Sequence, residues 1–394
     1  MIKQSIETLP IHFLKKAQRL FIGLAIISTA ITLFFALKNW DRFIESYLVA
    51  FVFTLAIPIG CLFLVMVQFL TRAGWGVAVR RIPEVMMHTF LCLAILFLPL
   101  LFGLDHLYHW FDPAHRAHDH LLQIKAPYLN STFFYIRMIF YFLVWIKITH
   151  FFYNHSTKQD SDGDREHTKL MQRKSAPCLF LYALTVSFAA IDLLMSIESH
   201  WFSTIFGVYY FSAAILLALS VVSLIYMLFY YKKILEDIVT VEHFHDLGKL
   251  IYGFIIFWAY ISFSQYFLIW YANIPEETFW FLKRSFGSWK TYSYVLVFGH
   301  FIFPFFFFMS KHVKRFLPAQ FFVVILLIIM TYVDLYYVVM PSFSKTFSPH
   351  ILDITTLLMC LSIFITVILK KLENLPLIPI KDPRLNESIH LESR

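Results

Sequence analysis

Two aspartates lie where an ionised side chain is costly. Asp192 sits in Ile191-Asp192-Leu193-Leu194 and Asp334 in Val333-Asp334-Leu335-Tyr336. Both fall inside apolar runs long enough to cross a bilayer. Each precedes the end of its run by several residues, with Ser199 seven residues after the first and Pro341 seven after the second. Carboxylates inside a membrane are rare and mostly functional. Two of them in matching positions point to a duplicated membrane bundle that handles protons, ions or a quinone.

Other polar groups join them at graded depths. The outer half holds Arg137, Glu198 and Asp353, with His200 at the membrane edge beside Trp201. On a helix Asp192, Met195, Ser196 and Ser199 share one face, and Glu198 lies off it. Arg137, one turn before Tyr141, is a candidate counter-ion for one of the acids, because a buried charge needs a partner. The inner half and middle hold His88, Lys147, His150 and His300. Histidine can relay protons near neutral pH. A lysine at the inner edge reads first as snorkelling to the headgroups. His300 is deeper, and either bonds a neighbour's backbone or lies on a polar route. These ten residues are the candidates for a proton path. The competing reading makes them inter-helix ion pairs that fix packing.

Metal chemistry is weakly indicated. A b-type haem needs two axial ligands facing each other, but His88 and His150 lie near the inner edge and His300 has no obvious mate at its depth. The outer loop containing His106, His109, His115, His118 and His120 offers imidazole and carboxylate ligands for zinc. Its spacings fit no tight motif, so it reads as a surface loop that docks a partner. Cys61, Cys92, Cys178 and Cys360 form no C-x-x-C, which argues against an iron–sulfur cluster or attached c-type haem.

The elements that must position these groups are membrane helices. The chain is 59% hydrophobic and only 15% charged, against about 25% charged for ordinary globular domains. About ten segments have spanning length, near 20–37, 47–70, 86–104, 132–152, 178–196, 202–231, 248–272, 291–310, 319–340 and 350–369. Of the 33 Lys and Arg, Arg137 and Lys147 lie within spans. With the N-terminus inside, the remainder divides roughly 23 inner to 8 outer, a positive-inside bias. The net charge of +8 is therefore a topology signal and not a nucleic-acid one. Both termini are expected in the cytoplasm: residues 1–19 as a short leading segment, 20–370 as the transmembrane domain and 371–394 as a tail that extends along a partner or is disordered. No cleavable signal peptide is expected. Residues 154–174 are polar and read as a mobile cytoplasmic linker. Asp246 is expected to cap the seventh span, and Pro275 to help stop it. Spans two to five (about 47–196) and six to nine (about 202–341) form two four-helix bundles in parallel repeat, flanked by spans one and ten.

Three stretches resemble one family. They are Ile191 to Gly207, His245-Asp246-Leu247-Gly248-Lys249 through Phe263-Ser264-Gln265 to Trp270-Tyr271-Ala272-Asn273-Ile274-Pro275-Glu276-Glu277, and Val333-Asp334-Leu335-Tyr336 ahead of Pro341. They are similar to the NrfD/PsrC-like membrane subunits of bacterial alternative complex III, a quinol:electron-acceptor oxidoreductase, and more so to the shorter of its two NrfD-like subunits. The resemblance covers about positions 80 to 341. It implies an all-α polytopic fold of ten helices in two four-helix bundles, with no redox centre or cofactor in this chain. It implies a hetero-oligomer in the bacterial inner membrane. The partners would be a second NrfD-like subunit, an iron–sulfur subunit and c-type haem subunits, with lipids around them and quinol nearby. In the family the quinol site is attributed to the longer sister subunit. Here Leu193 and Leu194 stand where Trp is common, and Ser199 where Pro is frequent. Asp192, His200 and Asp334 match motif positions and carry over as candidates for proton transfer or translocation. Two other functions remain open on the sequence: a stand-alone secondary transporter, and a structural membrane anchor.

Overall fold

The computed structural model describes residues 8–392. Ten helices among the described residues are long and apolar enough to cross a membrane. They are α1 (Ile11–Ala36), α2 (Trp40–Leu70), α3 (Val77–Phe102), α4 (Ser131–Asp162), α5 (Arg165–Ile197), α6 (Phe206–Tyr231), α7 (Val241–Ala272), α8 (Gly287–Met309), α9 (Leu317–Ser342) and α10 (Ile351–Lys371). No strand occurs among the described residues. The chain is an all-α polytopic protein. The end at which α1 begins is called inner below.

The helices pack as two rings of four. In the first, α2 packs on α3 and α5, and α4 bridges α3 and α5; in the second, α6 packs on α7 and α9, and α8 bridges α7 and α9. The rings meet along α2 and α6, with α5 against α6 and α9 against α2 completing the seam. Burial explains why these two helices form the axis. The apolar window of α2 is 94% buried and that of α6 72%, against 17% for α1 and 22% for α8. Close approach at the seam depends on small residues. A Cβ on Gly60 would lie 2.3 Å from the Ala214 carbonyl oxygen and 2.5 Å from the Ala218 Cβ. Helices α1 and α10 pack on each other, and α10 also lies along α2.

Two spans are irregular for local reasons. In α3 the helix breaks at His88 and Thr89, between Arg81–Met87 and Phe90–Phe97. In α8 residues Val297–Ile302 form a π-helical turn. Pro304 follows and has no N–H to return to the His300 carbonyl four residues back, which favours a widened turn there.

Three connections differ from the sequence expectation. Residues 154–174 are no linker: α4 runs on to Asp162 and α5 starts at Arg165, joined by Gly163 (φ 74°) and the N-cap Asp164. At 32 residues α4 is about 48 Å long against a hydrocarbon core of about 30 Å, so the hairpin projects beyond the membrane. Its charged residues are mostly competent helix formers, and Gln159 exchanges hydrogen bonds with Thr168 across it at 2.7 and 3.0 Å. The described part of the tail is folded against the inner end. Leu377 and Ile378 are buried, Asp382 pairs with Arg80 at 2.6 Å and the Ile380 N–H donates to Asp160 at 2.9 Å. Helix α7 starts at Val241 with a Thr240–His243 capping box, which puts Asp246 inside the helix and not at its cap.

On the outer side, a short helix Pro275–Arg284 presses Arg284 against the end of α9. Its guanidinium donates to the carbonyls of Tyr337 (3.1 Å) and Val338 (2.7 Å), oxygens near the helix C-terminus that need donors. It also lies 3.4 Å from the Trp280 ring centroid. Burial pushes this arginine down to about 10.

Candidate functional site

The two intramembrane aspartates occupy equivalent helices, α5 and α9, but their surroundings differ in kind. Asp192 is fully buried and bound by a cation. Arg137 of α4 grips both carboxylate oxygens, Nε to Oδ2 at 2.8 Å and Nη2 to Oδ1 at 2.9 Å. Tyr141 Oη, one turn along α4, donates to Oδ2 at 2.9 Å. The guanidinium also donates to the Tyr128 carbonyl at 2.8 Å and lies 3.9 Å from the Tyr128 ring centroid. This two-pronged pairing is the strong form of a buried ion pair. The counter-ion expected from sequence is thus in place.

Asp334 is equally buried, yet no Lys, Arg or His forms an ion pair with it among the described residues. Its carboxyl is held by two neutral donors, the Tyr209 hydroxyl of α6 and the Trp258 indole N–H of α7, the latter at 3.1 Å. His300 packs on Trp258 with ring centroids 3.9 Å apart. That histidine sits in the π-helical turn of α8, is fully buried, and neither ring nitrogen has a hydrogen-bond partner among the described residues. So one helix of the second ring supplies the acid, two supply its donors, and the fourth supplies an unengaged imidazole next to them.

The chemical difference follows directly. Protonating Asp192 would strand the Arg137 charge in a buried site, which is costly. Protonating or deprotonating Asp334 strands no fixed cation. Of the two acids, only Asp192 has its charge tied to a buried cation.

The remaining candidates are dispersed. Asp353 lies at the outer end of α10, where Arg42 holds it at 2.7 Å, Ser46 donates at 2.7 Å and Tyr336 at 3.2 Å. Glu198 pairs with Lys283 at 2.6 Å on the outer rim. His200 meets Asp119 at 2.5 Å. Although desolvation opposes it, the Leu122 and Leu121 N–H groups and His200 hold Asp119 below the usual carboxylate range. His88 and His150 come together at the inner edge with ring centroids 5.7 Å apart, and Lys147 is exposed there.

Two outer cavities flank the first ring. An open cleft of about 550 Å³ is lined by His109, Asp112, His118, Asp119, Glu198 and His200. A smaller cavity of about 230 Å³ lies next to the Asp192 site, between Tyr128, Ile191, Met195, Trp201 and Phe202. Among the described residues no group of three or more His, Cys, Asp or Glu is arranged to hold a metal ion.

Sequence reasoning missed a polar cluster at the inner end of α3. Arg80, Arg81 and Glu84 are buried. Glu84 accepts from Arg80 at 2.9 Å, Arg81 at 2.8 Å and Ser156 at 2.8 Å, and Arg81 also pairs with Asp160. The signal was the i, i+3 and i, i+4 spacing of opposite charges just ahead of an apolar run. Those residues read instead as flanking charge.

No protein-family model and no curated protein matches this chain.

Proposed function

We propose that the chain is a membrane subunit of a respiratory quinol:electron-acceptor oxidoreductase of the alternative complex III type, and that its second four-helix ring passes protons through Asp334. The chain has no redox centre of its own in this reading. Electrons travel on the iron–sulfur and c-type haem centres of partner subunits, beside a second NrfD-like subunit. The setting is the bacterial inner membrane with both termini in the cytoplasm, the side favoured by the positive-inside bias.

The observation that carries the proposal is the contrast between the two acids. Asp334 is a buried carboxyl with no cation paired to it among the described residues, and the Trp258 that donates to it packs on a buried histidine with both nitrogens unengaged. Ionisable groups in that state inside a membrane mark proton routes by default. Tyr209 and Trp258 stabilise the anion by donating to it. His300 is the next titratable group toward the middle of α8. Further inward, Gln320 donates to the Phe244 carbonyl at 3.0 Å, and His243 meets Ser388 at 3.2 Å. The small cavity beside Asp192 supports a bound apolar ring near the first ring of helices, but the Arg137 pairing favours a packing role for Asp192 itself.

The test uses the assembled complex in vesicles. Asp334→Asn and His300→Phe should abolish proton release while the variants still assemble and show the haem absorbance of their partners. Full proton release in Asp334→Asn would overturn the route. Purification of the chain in mild detergent, alone and without haem-bearing partners, would overturn the subunit reading.

A further inference from the structure

At the inner end, side chains of α3, α4 and α10 come together in a basic niche. Lys371 Nζ, at the end of α10, lies 3.0 Å from His88 Nδ1 at the break in α3. An ammonium can only donate, so Nδ1 of His88 accepts and the ring proton sits on Nε2. On α4, the Asn154 side-chain N–H₂ lies 2.7 Å from His150 Nε2. Tyr153 floors the niche, stacked on His88 at 4.1 Å with Lys371 5.7 Å from its centroid. The niche therefore holds one imidazole N–H, on His88, and the remaining ammonium hydrogens of Lys371. Among the described residues no ion pair brings a carboxylate to Lys371, His88 or His150.

Exposed apolar residues lead up to it on two helices. Beyond the break at His88, Leu91, Ile95 and Leu98 of α3 are at least half exposed. On α4 the exposed Ile136, Ile139, Phe140 and Leu143 lead to Lys147 and then His150. Two apolar outward faces thus end in histidines at the same level. Lys147 adds a second exposed ammonium one turn away.

We propose that this niche binds the phosphate of an anionic phospholipid of the inner leaflet. An anionic phosphate diester supplies acceptor oxygens and negative charge for the Lys371 ammonium and the His88 ring N–H, and its acyl chains would lie along the two exposed apolar faces. A basic pocket between spanning helices on the cytoplasmic side suits such headgroups.

The experiment is native mass spectrometry of the detergent-purified protein, in its complex where it has one, after exchange into phosphatidylglycerol or phosphatidylcholine. The wild type should retain a phosphatidylglycerol molecule and not phosphatidylcholine. Lys371→Gln should weaken retention about fivefold, the contribution of one lysine, and Lys371→Gln with His88→Asn should weaken it further, while Lys371→Arg retains the lipid. Helical content by circular dichroism separates loss of the site from loss of the fold. Equal retention of the two lipids, unchanged retention in a folded double variant, or displacement of the lipid by millimolar inorganic phosphate alone would each overturn the lipid assignment.

Discussion

Replacing each intramembrane aspartate by asparagine should give opposite phenotypes. In Asp192→Asn the Arg137 guanidinium, 7% exposed, loses a bidentate carboxylate partner and keeps the Tyr128 carbonyl and an aromatic face. Breaking a buried ion pair from one side costs about 3–5 kcal/mol. In Asp334→Asn no cation is stranded. The amide oxygen can accept from Tyr209 or Trp258, and the mismatch is one unsatisfied donor, about 1–3 kcal/mol. Asp192→Asn is therefore the more destabilising by about 2 kcal/mol, or roughly 30-fold in the folding equilibrium. Equilibrium unfolding by SDS in mixed micelles, followed by circular dichroism, measures the difference. The double variant Arg137→Met/Asp192→Leu should recover most of the loss, because an apolar pair of similar volume is often neutral. Equal losses for the two single asparagine variants, or a larger loss for Asp334→Asn, would refute the distinction between a packing acid and an exchanging one.

Three further outcomes follow from the packing. Gly60→Val should cost about 1–3 kcal/mol in the same assay, since the new Cβ meets the Ala214 backbone and cannot be relieved by a rotamer change. Asp382→Ala removes a buried partner of Arg80, so limited proteolysis should release the tail faster than in wild type. His106 is raised above its ordinary value, chiefly by its hydrogen bond to Glu45, with burial opposing and Asp41 assisting. A raised histidine stabilises fully below about pH 6.5, and that contribution fades as pH climbs through the folded value. The melting-temperature gap between wild type and His106→Gln should accordingly be larger at about pH 5.5 than at about pH 8.5.

The helices were legible because their apolar runs are long and the hydrophobic signal is strong over some 20 residues. The pairing of Arg137 with an acid was also readable, since a lone cation at that depth has few alternatives. The difference between Asp192 and Asp334 was not. Both sit in near-identical local strings, and what separates them is a side chain supplied by α4 in one ring and by α6, α7 and α8 in the other. Such contacts are long-range, and period or spacing does not encode them. The projecting α4–α5 hairpin escaped notice because charge-rich helix and charge-rich linker look alike in composition. The docked tail escaped because its anchors, Asp382 and Ser388, bind Arg80, Ala78, Trp75 and His243 from far upstream. The π-turn at His300 had a usable cue in Pro304.

The contact between α1 and α10 sets an order of assembly. The opening helix emerges from the ribosome with most of its apolar surface meant for the lipid and for a companion that begins at Ile351. At ordinary synthesis speeds that companion arrives on the order of tens of seconds later. The tail that neutralises Arg80 is made later still. Truncation ahead of Ile351 would thus leave the face of α1 that packs on α10 uncovered.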